Sequence, residues 1–298
     1  MASVIVYSDT IRIKELLFRV LGVYDYAKLE RLGGLTNRTY KVTLRDGRAF
    51  VVRLPGEGTE ALINRENERT STLLACKLGI DTDLLFFNGN GEKVSVCIPQ
   101  AVTLSADTMK QKSNLVKASQ LLHQLHTCNT DTGIPFDVFD MAASYERIIA
   151  THHIPLYEDY AAVKANVFFL KQRIDQHPIS FVPCHNDPLC ENWILDGNGR
   201  MYLIDWEYAG MNDAMWDLAD ISIEADLSPA QEDILLTSYF DRTPTAEELD
   251  RFRANKIYLD YLWTLWGKTR VPFDGDALDL YAAQRYFRLK ENLKHFTK

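Results

Sequence analysis

His185, Asp187 and Asn192 fall in one polar stretch, and Asp205 follows after a short run of apolar residues. Two carboxylates and an amide oxygen brought to one point suit a hard cation such as Mg2+, which takes oxygen ligands, keeps several waters and shares substrate phosphates. One of the carboxylates can instead accept a proton from a hydroxyl. A metal, a positioned acceptor and a base are what phosphoryl transfer asks of a protein. Convergence requires a mount. Phe181-Val182 lead into the polar loop, Trp193-Ile194-Leu195 read as a strand, Asp196-Gly197-Asn198-Gly199 as a turn, and Met201 to Ile204 as the returning strand. Such a hairpin carries the residue before its first strand and the residue after its second to the same edge. Asp187, Asn192 and Asp205 are therefore expected to converge. His185 is expected to support the loop, because Asp187 is the better base.

These residues spell H-x-D-x4-N-x-I followed by I-D-W-E. The joined pattern resembles the signature of the aminoglycoside phosphotransferase and choline kinase superfamily, itself similar to the eukaryotic protein kinases. The extension IDWEYAGMNDAMWDLA is similar to bacterial choline kinases of the LicA type. The resemblance covers essentially the whole chain. It implies an α+β, bilobal protein-kinase-like fold: a small antiparallel-sheet N-terminal lobe over residues 1–99 and a mostly helical lobe over 100–298. It also implies phosphorylation of choline by ATP. Asp187 would serve the acceptor hydroxyl, and Asn192 and Asp205 would hold Mg2+. Asp217 would brace the catalytic loop through its backbone.

In the first lobe, residues 9–21 read as an amphipathic helix, with Ile13, Leu16, Leu17, Val20 and Leu21 at helical spacing. Residues 28–32, 38–44 and 48–54 alternate as strands, and Asp46-Gly47 marks a hairpin between the last two. Gly33, Gly34, Thr36 and Asn37 form a turn whose amides could approach a phosphate, or an ordinary glycine hairpin. The turn resembles the family's nucleotide loop. Arg53 is the one cation in Phe50-Val51-Val52-Arg53-Leu54; its fork can grip phosphate oxygens in pairs. A helix is expected over residues 59–78, capped by Thr59. Spacing puts Glu66 on one face with Leu62, Leu73 and Leu74, and a carboxylate buried there needs a partner. Arg53 is that partner, with Glu68 the rival for the role. Strands follow at 83–87 and 93–98. By resemblance, the backbone of Val96 and Ile98 would bind adenine.

Beyond residue 100 the pattern is helical, with segments over 107–128, 141–151, 158–176, 212–225 and 246–268 and a final helix. His123 and His126 lack a third ligand at metal-site spacing and read as structural. Trp263 and Trp266 share a helix face, and two indoles can wall a quaternary ammonium by cation–π attraction. An aromatic stripe can equally be core. The segment LWTLWG resembles the aromatic choline pocket of choline kinases, which Tyr281, Arg285 and Tyr286 would complete. Glu207 would hold the cation from one side or fix Arg285.

A formal net charge of -8 and a pI near 5.4 argue against nucleic acid or an anionic membrane as the main partner and agree with a cationic small molecule. The five cysteines form no CxxC pair, and no apolar run reaches membrane-spanning length. A cytoplasmic enzyme is expected. Two other readings stay open: an ethanolamine or aminoglycoside kinase on the same machinery, and a catalytically silent pseudokinase acting as a binding module.

Overall fold

The computed structural model describes residues 7–33, 37–56 and 63–296. In chain order the first elements are helix α1 (Tyr7–Leu21), strands β1 (Lys28–Arg31), β2 (Asn37–Thr43) and β3 (Ala49–Pro55), helix α2 (Arg65–Leu78), and strands β4 (Leu84–Phe87), β5 (Lys93–Val96) and β6 (Val102–Thr103). Helices α3 (Ala106–Met109), α4 (Lys112–His126), α5 (Val138–Thr151) and α6 (Tyr160–Ile174) come next. Strands β7 (Val182–Cys184), β8 (Trp193–Leu195), β9 (Met201–Leu203) and β10 (Gly210–Asn212) follow. The chain closes with helices α7 (Ala214–Glu224), α8 (Pro229–Phe240), α9 (Ala246–Asp274) and α10 (Asp276–Phe296). No helix among the described residues is long and apolar enough to cross a membrane.

Two compact units result: Met1–Leu104 with Glu191–Ala209, and Ser105–Cys190 with Gly210–Lys298. The division at residue 100 expected from sequence differs in one respect. The hairpin β8–β9 belongs to the first unit, because β6 pairs with β8 through Val102 and Leu195, and Leu104 N donates to Trp193 O at 2.9 Å. Leu203 N also donates to Ile80 O at 3.1 Å.

In the first unit, five antiparallel strands run in the order β1-β2-β3-β5-β4. The Asp46-Gly47 turn sets the β2–β3 register, Thr43 opposite Ala49 and Val42 opposite Phe50. Ile13, Leu16 and Leu17 of α1 pack on Tyr40, Val42, Phe50, Val52, Leu54 and Val94. Asn64, not Thr59, caps α2, its side chain accepting from the amides of Glu66 and Asn67 at 3.1 Å. Thr59 and Leu62 lie outside the described residues. The buried face of α2 is Arg65, Glu68, Ser71, Thr72 and Ala75, whereas Leu73 is exposed. The leucines thus mislead about the phase of this helix. It buries a polar face because that face answers charges on the sheet.

The second unit is built on α9. Its residues from Ile257 to Leu265 are buried without a break, so the helix is covered on all sides, as expected of a core helix. It packs against α10, α7, α5 and α6. Thr245 and Glu248 form a capping box at its start, and Arg242 bonds the Glu248 carboxylate at 2.6 and 2.8 Å. Those bonds, led by Arg242, hold the Glu248 carboxyl down at about 2. Its contribution is therefore complete above the ordinary value of 4.5 and fades as pH falls toward 2. A Glu248→Gln variant should be less stable by about 0.5 kcal/mol at pH 7. Denaturant titration should show that gap closing as the solution is acidified.

Candidate active site

In the first unit the hairpin does what its sequence implies. Trp193 pairs with Leu203, and Ile204 N donates to Asn192 O at 3.0 Å. Asn192 and Asp205 are thereby placed at the same open end of the hairpin. Asp205 has φ 71°, a left-handed conformation that a non-glycine residue adopts at a cost. Its side chain is hemmed in by protein, yet 42% of its surface stays open. Burial, then the charge of Glu207, pushes its carboxyl up to about 7.

Around Asp205 two buried arginines meet two carboxylates. Arg53 Nη1 donates to Glu68 Oε1 and lies 3.4 Å from Glu207 and 3.8 Å from Asp205. Arg65 Nη1 donates to Glu68 Oε2 at 2.8 Å and to Glu207 Oε1 at 2.7 Å. Gly91 makes room for this packing. Its φ is +86°, a Cβ there would meet Arg65 Nε at 2.5 Å, and its carbonyl accepts from Arg53 Nη2 at 3.1 Å.

One expectation is corrected here. Glu66 does not hold Arg53; it is exposed and reaches Arg69 at 3.3 Å, while Glu68, one side of the helix away, takes the buried role. The Glu207 carboxylate is taken by Arg65, Arg53 and Asn37, whose Nδ2 donates at 2.6 Å. Sequence reasoning missed Arg65, which looked like one more charge in a polar run.

The other nucleotide-side residues are placed unevenly. Gly33 has neither a positive φ nor a neighbour within 4 Å of an added Cβ, so nothing local demands glycine there. Gly34 and Thr36 lie outside the described residues. Val96 and Ile98 stand at the end of β5. The Val96 amide is already donated to Asp83 O at 3.0 Å and its carbonyl accepts from Thr82 Oγ1 at 2.7 Å. Its N–H is thus engaged within the first unit.

Glu68, Asp205 and Glu207 offer carboxylate oxygens within 4.8 Å of one another. Glu68 and Glu207 are engaged more closely by arginines than Asp205, which lies 3.8 Å from Arg53, and Asn192 stands beside Asp205 on the hairpin. An all-oxygen pair with open surface fits a hard divalent cation that keeps its own waters.

The second unit holds the loop of Asp187. Strand β7 pairs with β10, and the loop after β7 turns sharply, Asn186 having φ 67°. Asp217 clamps it: its two oxygens accept from His185 N and Asn186 N, each at 2.8 Å. Trp216 Nε1 donates to Asn186 O at 2.9 Å, and Asn212 Nδ2 to Asn186 Oδ1 at 2.9 Å. His126 backs Asp217 at 3.1 Å and meets Tyr239 at 2.9 Å, so it is structural. His185 and Asn186 are fully buried, whereas Asp187 is half-buried and presented at the loop's edge. Sequence reasoning missed Asn186, Asn212 and Trp216. The signal was present in Asn186, since asparagine tolerates the left-handed region.

The aromatic residues also gather here. The rings of Trp263 and Trp266 are 6.0 Å apart, edge to face, and Trp266 meets Tyr281 at 5.9 Å. Gly267 permits this, because a Cβ would strike Tyr281 Cδ1 at 3.0 Å and Ala282 Cβ at 3.1 Å. Arg285 lies 4.9 Å from the Tyr281 ring, donates to Glu224, and lies 3.4 Å from Asp260. Trp263 is buried and Trp266 half-buried. Tyr286 stacks on Tyr157 at 3.9 Å and donates to Asp159 at 2.7 Å, so it does not join this row.

Known proteins resemble this chain over most of its length. The choline/ethanolamine kinase family model matches residues 30–270. The structure of the choline kinase LicA from Streptococcus pneumoniae is 33% identical and aligns with a TM-score of 0.85 over 97% of this chain and 100% of that one. A structure of LicA in complex with AMP is 30% identical, with a TM-score of 0.80 over 96% and 98% of the two chains. Ethanolamine kinase 2 of Mus musculus is 27% identical over 292 residues, covering 86% of this chain and 74% of its own.

Proposed function

Since this chain belongs to the choline/ethanolamine kinase family, we propose that it transfers the terminal phosphoryl group of ATP to the hydroxyl of choline, giving ADP and phosphocholine, with Mg2+ as its metal and the cytoplasm as its place of work. The observation that carries this reading is the way Asp187 is presented: half-buried, on a loop whose two preceding amides are clamped by Asp217.

The roles follow from that placement. Asp187 accepts the hydroxyl's hydrogen bond and aims its oxygen at the phosphorus. Choline's hydroxyl is a very weak acid, so the proton passes to Asp187 late, as the oxygen–phosphorus bond forms and the bond to ADP breaks. Orientation is then the larger part of what Asp187 supplies. Arg53, held in place by Glu68, offers its fork to the phosphates. Asn192 and Asp205 would hold Mg2+, which when bound neutralises charge on the phosphates. Trp266 and Tyr281 offer ring faces to a cationic head group, and Arg285 is kept from repelling it by Glu224 and Asp260.

Ethanolamine would use the same residues, and a mammalian ethanolamine kinase is among the relatives. A coupled assay of ADP release with Mg-ATP separates the readings. Choline should be turned over well ahead of ethanolamine, with kanamycin inactive. Ethanolamine ahead would keep the mechanism and move the substrate. Turnover of kanamycin alone would reduce the indoles to core packing.

A further inference from the structure

Helix α1 and Arg53 lie on opposite faces of the five-stranded sheet. Val52 packs beneath α1 with Ile13, Leu16 and Leu17, and alternation along β3 turns Arg53 the other way. The turn between β4 and β5 reaches both.

On the side of α1, Arg12 grips Glu92 with its fork. Nε donates to Oε1 at 2.5 Å and Nη2 to Oε2 at 2.6 Å. Paired contacts of this kind fix direction as well as distance. Glu92 is buried, and the bonds from Arg12 hold its carboxyl below the ordinary value against the cost of burial. Asn88 Nδ2 adds a bond to Oε2 at 2.7 Å. Further along α1, the Arg19 guanidinium lies 4.9 Å from the ring of Phe86 on β4.

On the other side, the Gly91 carbonyl accepts from Arg53 Nη2 at 3.1 Å and from Nε at 3.4 Å. Phe87 follows Phe86 and points to the opposite face, where its ring lies 5.4 Å from the same guanidinium. Arg53 is thus seated on the turn along one edge, and its remaining nitrogen, Nη1, faces Glu68, Glu207 and Asp205. The turn between these two sides is closed. Asn88 Oδ1 accepts from the amides of Asn90 and Glu92 at 3.1 and 3.0 Å, and Gly91 N donates to Asn88 O at 3.0 Å. Gly91 and Glu92 are adjacent, so the grip of α1 and the seat of Arg53 share one peptide unit.

We propose that Arg12 is a positioning residue for the phosphate clamp: through Glu92 it fixes the β4–β5 turn, and the Gly91 carbonyl then fixes the rotation of the Arg53 guanidinium. The assignment rests on the reading of Arg53 as the residue that grips the nucleotide's phosphates. It gives α1 a part in nucleotide binding beyond covering the sheet, and Arg12 plays that part only through the turn.

The test measures the affinity for β,γ-imido-ATP with Mg2+ by titration calorimetry, alongside the thermal midpoint without nucleotide. Arg12→Ala should weaken nucleotide binding by about fivefold, within the range that packed and hydrogen-bonded networks carry. Glu92→Gln keeps the size of the side chain, loses the paired contact and should show the same loss. Ile13→Val, on the buried face of the same helix, should lower the midpoint yet bind nucleotide as wild type does. The decisive comparison is with Arg53→Ala. If Arg12 acts through Arg53, R12A should add less than about twofold to the loss in R53A, because the residue it orients is gone. R12A binding nucleotide as tightly as wild type, or a loss that multiplies in full with that of R53A, overturns the assignment; the Arg12–Glu92 pair would then only tie α1 to the sheet. Should R53A itself bind nucleotide as wild type does, the reading of Arg53 falls and takes this assignment with it. Should R53A bind poorly and R12A well, only this assignment falls.

Discussion

Asp187→Ala is expected to lower kcat by about 100- to 10,000-fold, the range a positioned acid–base group supplies, while nucleotide binding is kept. The loss should fall on kcat, because the role proposed for the residue lies with the hydroxyl and not with the nucleotide. The variant should fold, since the clamp on the loop runs from the amides of His185 and Asn186 to Asp217 and survives the truncation. Asp187→Asn sharpens the result. It keeps the size of the side chain and one oxygen to accept from the hydroxyl, but it cannot take the proton. If orientation dominates, D187N should retain measurably more turnover than D187A; if proton acceptance dominates, the two should be equally poor. Single-turnover rates with saturating Mg-ATP, alongside a nucleotide titration, separate these outcomes. Turnover at the wild-type rate in D187A would remove Asp187 from the mechanism.

Local signals carried much of this architecture. Asp46-Gly47 fixes the β2–β3 hairpin, and Trp193–Leu195 with Met201–Leu203 forms the mount that sets Asn192 beside Asp205. Both depend on turn chemistry and period-two alternation, which are written within a few residues. What stayed hidden depends on long-range pairing. The two-residue strand β6 gains its meaning only from β8, far along the chain, and that pairing assigns the hairpin to the first unit. Helix α2 was misphased because leucines ordinarily mark the buried face, whereas here the buried face answers charges that the sheet and the hairpin bring to it. Asp220 escaped notice for a related reason. In the run WDLADISIE it reads as one polar break in an apolar helix, and only the fold reveals that neither oxygen has a hydrogen-bond partner among the described residues.

The misphased helix gives the second large effect. Glu68→Ala should destabilise the first unit by about 3–5 kcal/mol, the cost of removing one partner from a buried ion pair. Glu68 is 1% exposed and serves two arginines at once, Arg53 at 6% and Arg65 at 8%. Truncation leaves two guanidinium groups in a site where water cannot fully replace the carboxylate. Glu207 touches both arginines and should hold the loss toward the lower end of that range. Glu66→Ala, two residues earlier on the same helix, removes only an exposed pair with Arg69 at 3.3 Å and should cost less than about 0.5 kcal/mol. Two alanine substitutions in one helix turn therefore differ by several kcal/mol, which equilibrium denaturant unfolding reads directly. Activity should follow the same split. E68A frees Arg53 from its bearing, so its KM for ATP should rise, whereas E66A should match wild type. A helix that tolerated E68A as easily as E66A would mean that Glu207 alone fixes both arginines, and the clamp on the phosphates would then be built on the hairpin and not on α2.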